Sequence, residues 1–283
     1  MGLRVATNIQ SIAAQRHLTI TNEAQKAQLE KLASGTRIVR AADDSAGLAI
    51  AEKMRAQIRS VRQNVRNAND GISMIQTAEG GMNEIANILV RFRELSIQAA
   101  SDTIGDSERN FINKEVQQLK SEIDRISGGT EYNGTKLLSG VPEGAPEGAE
   151  VLEFQVGQQN NPELDRFRYD LSKATTSTQR LGINEIAVST KQMAQENLEK
   201  VDGAIKNLSE NRSELGALQN RLQSSINNLM IYDENLSAAR SRIYDVDVAA
   251  ATADLTKNNI LAQAGTAVLS QANQNSAAAL KLL

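Results

Sequence analysis

The chain has no cysteine, no tryptophan and only three prolines in 283 residues, and aromatic side chains make up 3% of it. Without cysteine there is no disulfide, no thiolate nucleophile and no cysteine-held metal. The one histidine, His17, excludes a zinc centre of the His-x-x-His kind. No serine has a histidine near it in sequence, and neither a glycine-rich phosphate loop nor a His-Glu-x-x-His pair occurs. Catalysis, a cofactor and a metal are therefore not expected. Scarce aromatics disfavour a thick mixed core and favour long helices joined through aliphatic seams. A net charge of -3 argues against a general nucleic-acid binder.

Long hydrophobic runs are also missing. Residues 258–280 carry no charge, but ten of those twenty-three are Asn, Gln, Ser or Thr, too polar for a bilayer. Residues Met1 to Asn8 lack the apolar core and cleavage site of a secretory signal peptide, so composition alone reads as cytoplasmic.

What is present is a seven-residue ladder: Val201, Leu208, Leu215, Leu222, Leu229, Leu236 and Ile243. Four residues after each of the first six stand Ile205, Arg212, Gln219, Ile226, Asp233 and Arg240, so nine of thirteen seam positions are apolar. That spacing predicts a coiled-coil helix more than ~60 Å long at about 1.5 Å per residue. An apolar stripe of that length requires partner helices. A second seam begins within residues 44–100 at Ala51, Met54, Ile58, Val61 and Val65, continues through Ile75, and drifts to Met82, Ile85, Leu89 and Phe92. Gly80-Gly81 could bend it. Ile112, Val116, Leu119, Ile123 and Ile126 form a third, shorter seam. Three seams of one period predict a bundle.

The other segments fit around these. Residues 4 to about 33 read as an amphipathic helix with Val5, Ile9 and Ile12 on one face. It should stop near Gly35, and Asp43-Asp44-Ser45 should cap the next helix rather than hold a metal. Between 128 and 185 lie Gly128-Gly129, Asn133-Gly134 and all three prolines. There Leu152, Phe154 and Val156, then Phe167, Tyr169 and Leu171, alternate with polar residues, which predicts a hairpin closed by the loop 157–165. Helix resumes near Thr190. After Asp245 and Asp247 an alanine-rich helix with Ile260, Ala264 and Val268 runs to the end. Both chain ends, which carry no charge between Val5 and Gln15 and over 258–280, are thus thin, small-residue helices that gain stability only by packing on each other and on copies of themselves. The fold class expected is mostly α: a long coiled-coil-like bundle with a small β-hairpin.

The segments Leu29-Glu30-Lys31-Leu32-Ala33-Ser34-Gly35 with Ala42-Asp43-Asp44-Ser45-Ala46-Gly47-Leu48-Ala49-Ile50, Arg91-Phe92-Arg93-Glu94-Leu95-Ser96-Ile97-Gln98, Phe154-Gln155-Val156-Gly157 and Glu234-Asn235-Leu236-Ser237-Ala238-Ala239-Arg240 resemble motifs of bacterial flagellin. So does Ile260-Leu261-Ala262-Gln263-Ala264-Gly265-Thr266, and together they span nearly the whole chain in the family's order. Thr36, Val39-Arg40, Val90 and Phe92 depart from the pattern, and Leu181–Ser189 stands where the family often carries bulky outer domains.

The resemblance implies a minimal flagellin, a subunit exported unfolded through the flagellar type III channel without a cleaved signal peptide and polymerised outside the cell; this overrides the cytoplasmic reading. It implies that residues 1–43 and 244–283 form the filament's inner tube and 44–243 the surrounding rod. Implied partners are copies of itself, other flagellins, hook-associated junction and cap proteins, and an export chaperone at the C-terminal helices. In flagellins recognised by Toll-like receptor 5, an Arg and a Leu of the central helix and a Glu of the next make contacts; they match Arg91, Leu95 and Glu115, which also suit packing between protofilaments. Alternatives are a hook–filament junction protein, or a coiled-coil adaptor gripping nucleic acid through Arg55, Arg59, Arg62 and Arg66. The bland reading of that stripe is salt bridging to acidic helix faces.

Overall fold

A computed structural model of the chain describes residues 7–140 and 151–280, with backbone alone for 275–280. It is mostly α, in the order α1 (Ile9–Ser34), α2 (Ser45–Ala100), α3 (Asp106–Gly129), β1 (Glu131–Tyr132), β2 (Thr135–Lys136), β3 (Val151–Gln155), β4 (Arg166–Asp170), α4 (Lys191–Tyr244) and α5 (Val248–Leu280). Two compact units divide it: Arg59–Asp233, and Met1–Ile58 together with Glu234–Leu283. No helix among the described residues is long and apolar enough to cross a membrane.

In the unit Arg59–Asp233 the core follows the three seams. From α2 come Val61, Ala68, Ile75, Ala78, Met82, Ile85, Leu89, Phe92 and Ala99, from α3 Ile112, Val116 and Ile123, and from α4 Val201, Leu208, Leu215 and Leu222. Contacts at two levels fix the directions: Arg93–Asp202 at 2.7 Å and Arg62–Asp233 at 3.0 Å make α4 antiparallel to α2, and Arg91–Glu115 at 2.9 Å with Arg109 Nε donating to Ala99 O at 2.9 Å does the same for α3.

The second row of α4 differs from expectation. Beside Val201 and Leu215 the buried side chains are Ala204 and Leu218, three residues on, whereas Ile205, Arg212 and Gln219, four on, are half-buried. Only at Ile226 does the four-residue step take over. A straight helix at 3.6 residues per turn drifts by roughly 20° per heptad against a strict seven-residue repeat, so one row cannot stay inward along the whole ladder.

Gly80-Gly81 does not interrupt α2. At Gly81 a Cβ would lie 2.6 Å from Thr130 Oγ1 and 2.7 Å from Leu138 Cδ1, so its absence is what lets the 130–138 segment approach the helix. That segment holds a hairpin not expected from sequence, β1 against β2. Its two-residue turn is Asn133 at φ 49° and Gly134 at φ 80°, positive at both positions as a type I′ turn requires. The expected hairpin is β3 against β4, with Phe154 opposite Phe167 and Leu152 opposite Tyr169. Phe154 lies over Gly71 of α2, where a Cβ would meet the ring at 3.0 Å.

Helix ends follow local chemistry. Asn8 caps α1 by accepting from Ser11 N at 3.1 Å, and Gly35 at φ 69° ends that helix. Asp44 Oδ1 accepts from Gly47 N at 2.7 Å at the start of α2. Asp43 Oδ2 accepts from Val39 N and Arg40 N, and these backbone donors hold its carboxyl below the usual range.

Candidate assembly surfaces

In the unit made of the chain ends, α1 and α5 lie antiparallel. Asn8 Nδ2 donates to Ala272 O at 2.9 Å, Ser11 Oγ to Asn273 Oδ1 at 2.9 Å and Gln25 Nε2 to Asn259 Oδ1 at 2.5 Å. Leu18 sits on Gly265, where a Cβ would come within 3.3 Å of its Cδ1. The contacts between them are mainly polar, and the pair buries little. No residue of α1 is buried, and among the described side chains of α5 only Ala251 and Ala272 are. Meanwhile Ile9, Ile12, Ile20 and Leu29 of α1 and Val248, Ile260, Leu261 and Val268 of α5 are 48–65% exposed. Ala264 is exposed too, and Val5 lies outside the described residues. Eight large aliphatic side chains open to water on two helices form a surface that requires a partner.

Where α1 ends, the chain clips to the end of α4. Arg37 N donates to Tyr244 O at 2.7 Å and Val246 N to Gly35 O at 3.1 Å. The Arg37 guanidinium donates to Ile243 O at 2.7 Å, a cation at the negative end of α4.

The ladder of α4 divides. Val201, Leu208, Leu215 and Leu222 are spent inside the unit Arg59–Asp233, at 2% exposure or less, and so offer no area to a second copy. Leu229, Leu236 and Ile243 are half-buried, and Met230, Ile231 and Tyr232 are exposed. On α2, Ile58 and Val61 are buried, while Met54 and Val65 are half-buried. Along the ladder of α4, free apolar area therefore begins after Ile226.

The three residues matched to receptor contacts separate. Arg91 bonds Glu115 through Nε and Nη2 and Glu94 through Nη1, and the Glu115 bond raises its pKa first, the Glu94 bond second. Leu95 is 1% exposed. The inward row of α2 passes from Leu89 and Phe92 to Leu95 and Ala99, so Leu95 belongs to the core and corrects the expectation that it shares a surface with Arg91 and Glu115. In the arginine stripe, Arg55 pairs with Glu52 at 2.7 Å, Arg62 with Asp233, and Arg66 donates to Gln63 Oε1.

Two polar arrangements escaped sequence reading. One face of α3 holds the segment 178–188: Asn113 Oδ1 accepts from Val188 N at 3.1 Å, Gln117 Nε2 donates to Ile186 O at 3.1 Å, Lys120 Nζ donates to Asn184 O, and Asp124 accepts from Thr178 N and Oγ1 at 2.9 Å each. The spacing of residues 113, 117, 120 and 124 was a visible helical face; what it would hold was not. Arg109, 8% exposed, donates to Ala99 O and Ser101 O at 2.9 Å and pairs with Asp106 at 2.8 Å, closing the corner between α2 and α3.

Among the described residues no group of three His, Cys, Asp or Glu side chains could hold a metal ion. The arrangement is one of helix faces. Residues 5–143 match the bacterial flagellin N-terminal helical region and residues 198–283 the bacterial flagellin C-terminal helical region. The chain belongs to the bacterial flagellin family. It is 46% identical to the flagellin of Halalkalibacterium halodurans over 279 residues, 98% of each chain. To the flagellin of Bacillus subtilis it is 41% identical over 303 residues, covering 99% of this chain and 100% of that one. The flagellin FlaB2 of Treponema pallidum is 38% identical over 282 residues and 98% of each chain.

Among solved structures, Bacillus cereus flagellin superposes with a TM-score of 0.50 at 29% identity over 58% of this chain and 88% of that one. A hook-associated protein of Vibrio parahaemolyticus reaches 0.57 at 13% identity over 72% and 100%, a likeness of fold alone. This flagellin is a structural subunit of a flagellar filament and serves motility. The junction-protein alternative has only that fold likeness behind it and is not favoured.

Proposed function

We propose that copies of this chain polymerise outside the cell into a tube that carries motor torque, with residues 1–43 and 244–283 forming its inner wall and residues 44–243 the layer around it. The observation that carries this reading is the α1–α5 pair, which leaves Ile9, Ile12, Ile260 and Val268 open to water while burying almost nothing of its own. Neighbouring copies supply the missing cover, and the work is mechanical rather than catalytic. Other flagellins that present the same terminal helices can join the tube, and cap and junction proteins meet the same faces at its ends. Before assembly, an export chaperone covers the exposed stripe of α5. A receptor contact at the central helix rests on Arg91 and Glu115 without Leu95.

Chains lacking residues 1–30 or 256–283 are the test. Circular dichroism should retain most of the helical signal, and negative-stain microscopy should show no filaments. Filaments of normal appearance from either truncation would refute the reading.

A further inference from the structure

Three pairs in the chain join Asn or Asp to a following glycine: Asp70-Gly71, Asn133-Gly134 and Asp202-Gly203. Such pairs share one reaction. The glycine amide nitrogen attacks the side-chain Cγ, a new C–N bond closes a five-membered succinimide, and the side chain loses ammonia from Asn or water from Asp. Water then opens the ring at either carbonyl and leaves aspartate or isoaspartate. The only co-reactant is water, so the requirement is geometric: a glycine nitrogen not committed elsewhere and a side chain able to reach it.

All three pairs lie in the unit Arg59–Asp233, and the fold treats them differently. Asp70-Gly71 is inside α2 and Asp202-Gly203 inside α4. In an α-helix such a glycine N–H is given to the carbonyl four residues back, which ties up the attacking nitrogen. Gly71 is also buried, and a Cβ there would meet the Phe154 ring at 3.0 Å. Asp202 is held by Arg93 at 2.7 Å.

Asn133-Gly134 is instead the turn between β1 and β2. The bond that closes a two-residue turn runs between the flanking residues, here Tyr132 and Thr135, so the Gly134 N–H has no part in it. Both turn residues are exposed, and nothing lies within 4 Å of the Cβ position of Gly134. The Asn133 carboxamide has no hydrogen-bond partner among the described residues. What restrains the turn is a ladder of two pairs, Glu131 with Lys136 and Tyr132 with Thr135, short enough to open locally.

We propose that Asn133 is a self-modification site of the folded subunit, converting to aspartate and isoaspartate while Asp70 and Asp202 are protected by their helices. Either product adds a negative charge two residues from Glu131. Isoaspartate also inserts a methylene into the backbone of a turn that needs positive φ at both of its residues, so the type I′ geometry is lost. The segment behind the turn is anchored in the core. Leu137 N donates to Thr130 O at 3.1 Å, Ser127 Oγ to Leu138 O at 2.8 Å and Thr176 N to Leu138 O at 2.9 Å. Modification at the exposed tip therefore reaches backbone bonds on which the core depends.

The test incubates the full-length chain in mildly alkaline buffer, folded and in parallel in urea. Peptide mapping with isoaspartyl methyltransferase labelling then follows each pair. The denatured rate should exceed the folded rate by less than about tenfold at Asn133 and by about a hundredfold or more at Asp70 and Asp202. Equal ratios at the three pairs, or no product at Asn133 in a folded chain whose denatured form yields it, overturn the proposal. Amide exchange reads the structural consequence. At Leu137 and Thr176 it should be about tenfold faster in the isolated isoaspartyl chain than in Asn133→Asp, since aspartate tolerates positive φ and keeps the turn. Indistinguishable exchange in the two chains counts against loss of the turn.

Discussion

The unit Arg59–Asp233 and the unit built from the chain ends both carry bulky aliphatic side chains on their helices, and these side chains reach opposite outcomes. In the first, Val61, Met82, Leu89, Phe92, Val201 and Leu222 have no exposure at all. In the second, side chains of the same chemistry, Ile9, Ile12, Ile260 and Val268, are more than half exposed. Hydrophobicity does not separate them; the number of elements available to cover each stripe does. The sealed seam has α2, α3 and α4 around it, with β3–β4 and the 178–188 segment over the remaining gaps. The open one has α1 against α5, and two cylinders in contact shield one strip of each. What the end unit lacks in its own chain it obtains from neighbours, so its stability depends on assembly.

The sharpest way to break this contrast is a cavity in the sealed seam. Phe92→Ala should cost the isolated subunit about 3–5 kcal/mol of unfolding free energy. Chemical denaturation followed by helical circular dichroism reads it, and a loss under ~1 kcal/mol would mean that the seam is looser than its burial implies.

Next in size is the corner. Arg109→Leu removes the donors to Ala99 O and Ser101 O and should cost roughly 2–3 kcal/mol, with amide exchange accelerating first around residues 97–110. A uniform rise in exchange across the unit would argue against a local role.

A smaller, pH-dependent effect tests the hairpin. Glu153 accepts from Arg166 Nη1 at 2.7 Å and from Arg168 Nε at 3.1 Å, and the Arg166 bond foremost holds its carboxyl below the ordinary range. A depressed folded-state pKa contributes stability that is full above the unfolded value, about 4.3, and disappears as pH falls through the folded one. The melting temperature of Glu153→Gln should therefore lie below that of the parent at pH 7, and the gap should close as pH falls below the unfolded-state value and through the lower folded-state one. A gap that persists in acid would assign the difference to shape rather than charge.

Smallest of all for the subunit is Ile12→Ala, expected to change monomer stability by less than about 0.5 kcal/mol because the side chain is already in water. The same variant should raise the critical concentration for polymerisation, which sedimentation measures. If monomer stability fell and polymerisation did not, the end unit would be self-sufficient and the comparison would fail.

The helices were legible because a three-and-four alternation of apolar residues is a local property of the chain. The start at Asp44 and the stop at Gly35 obey equally local capping rules, and β3–β4 was readable from a period of two, whereas the first helix, expected from residue 4, begins at Ile9 behind an Asn8 cap that was not read. The tail residues Ile9, Ile12, Ile260 and Val268 stood out as the bulky members of neutral helices. Leu95 was misassigned because motif matching fixes position along a helix but not the face it ends on. What Arg109 and the α3 row of Asn113, Gln117, Lys120 and Asp124 would hold could not be read, since most of their partners are backbone carbonyls and amides that carry no sequence signature.

Sequence by itself determined that this protein would be long helices with surplus apolar area. Only the tertiary structure decided where the surplus remains: above Ile226 the ladder is consumed by the subunit's own helices, and below it, as on α1 and α5, it is not. Helix formation is settled by neighbours within a turn or two. Exposure is settled by whichever distant segments happen to cover a face, and that is a property of packing in three dimensions.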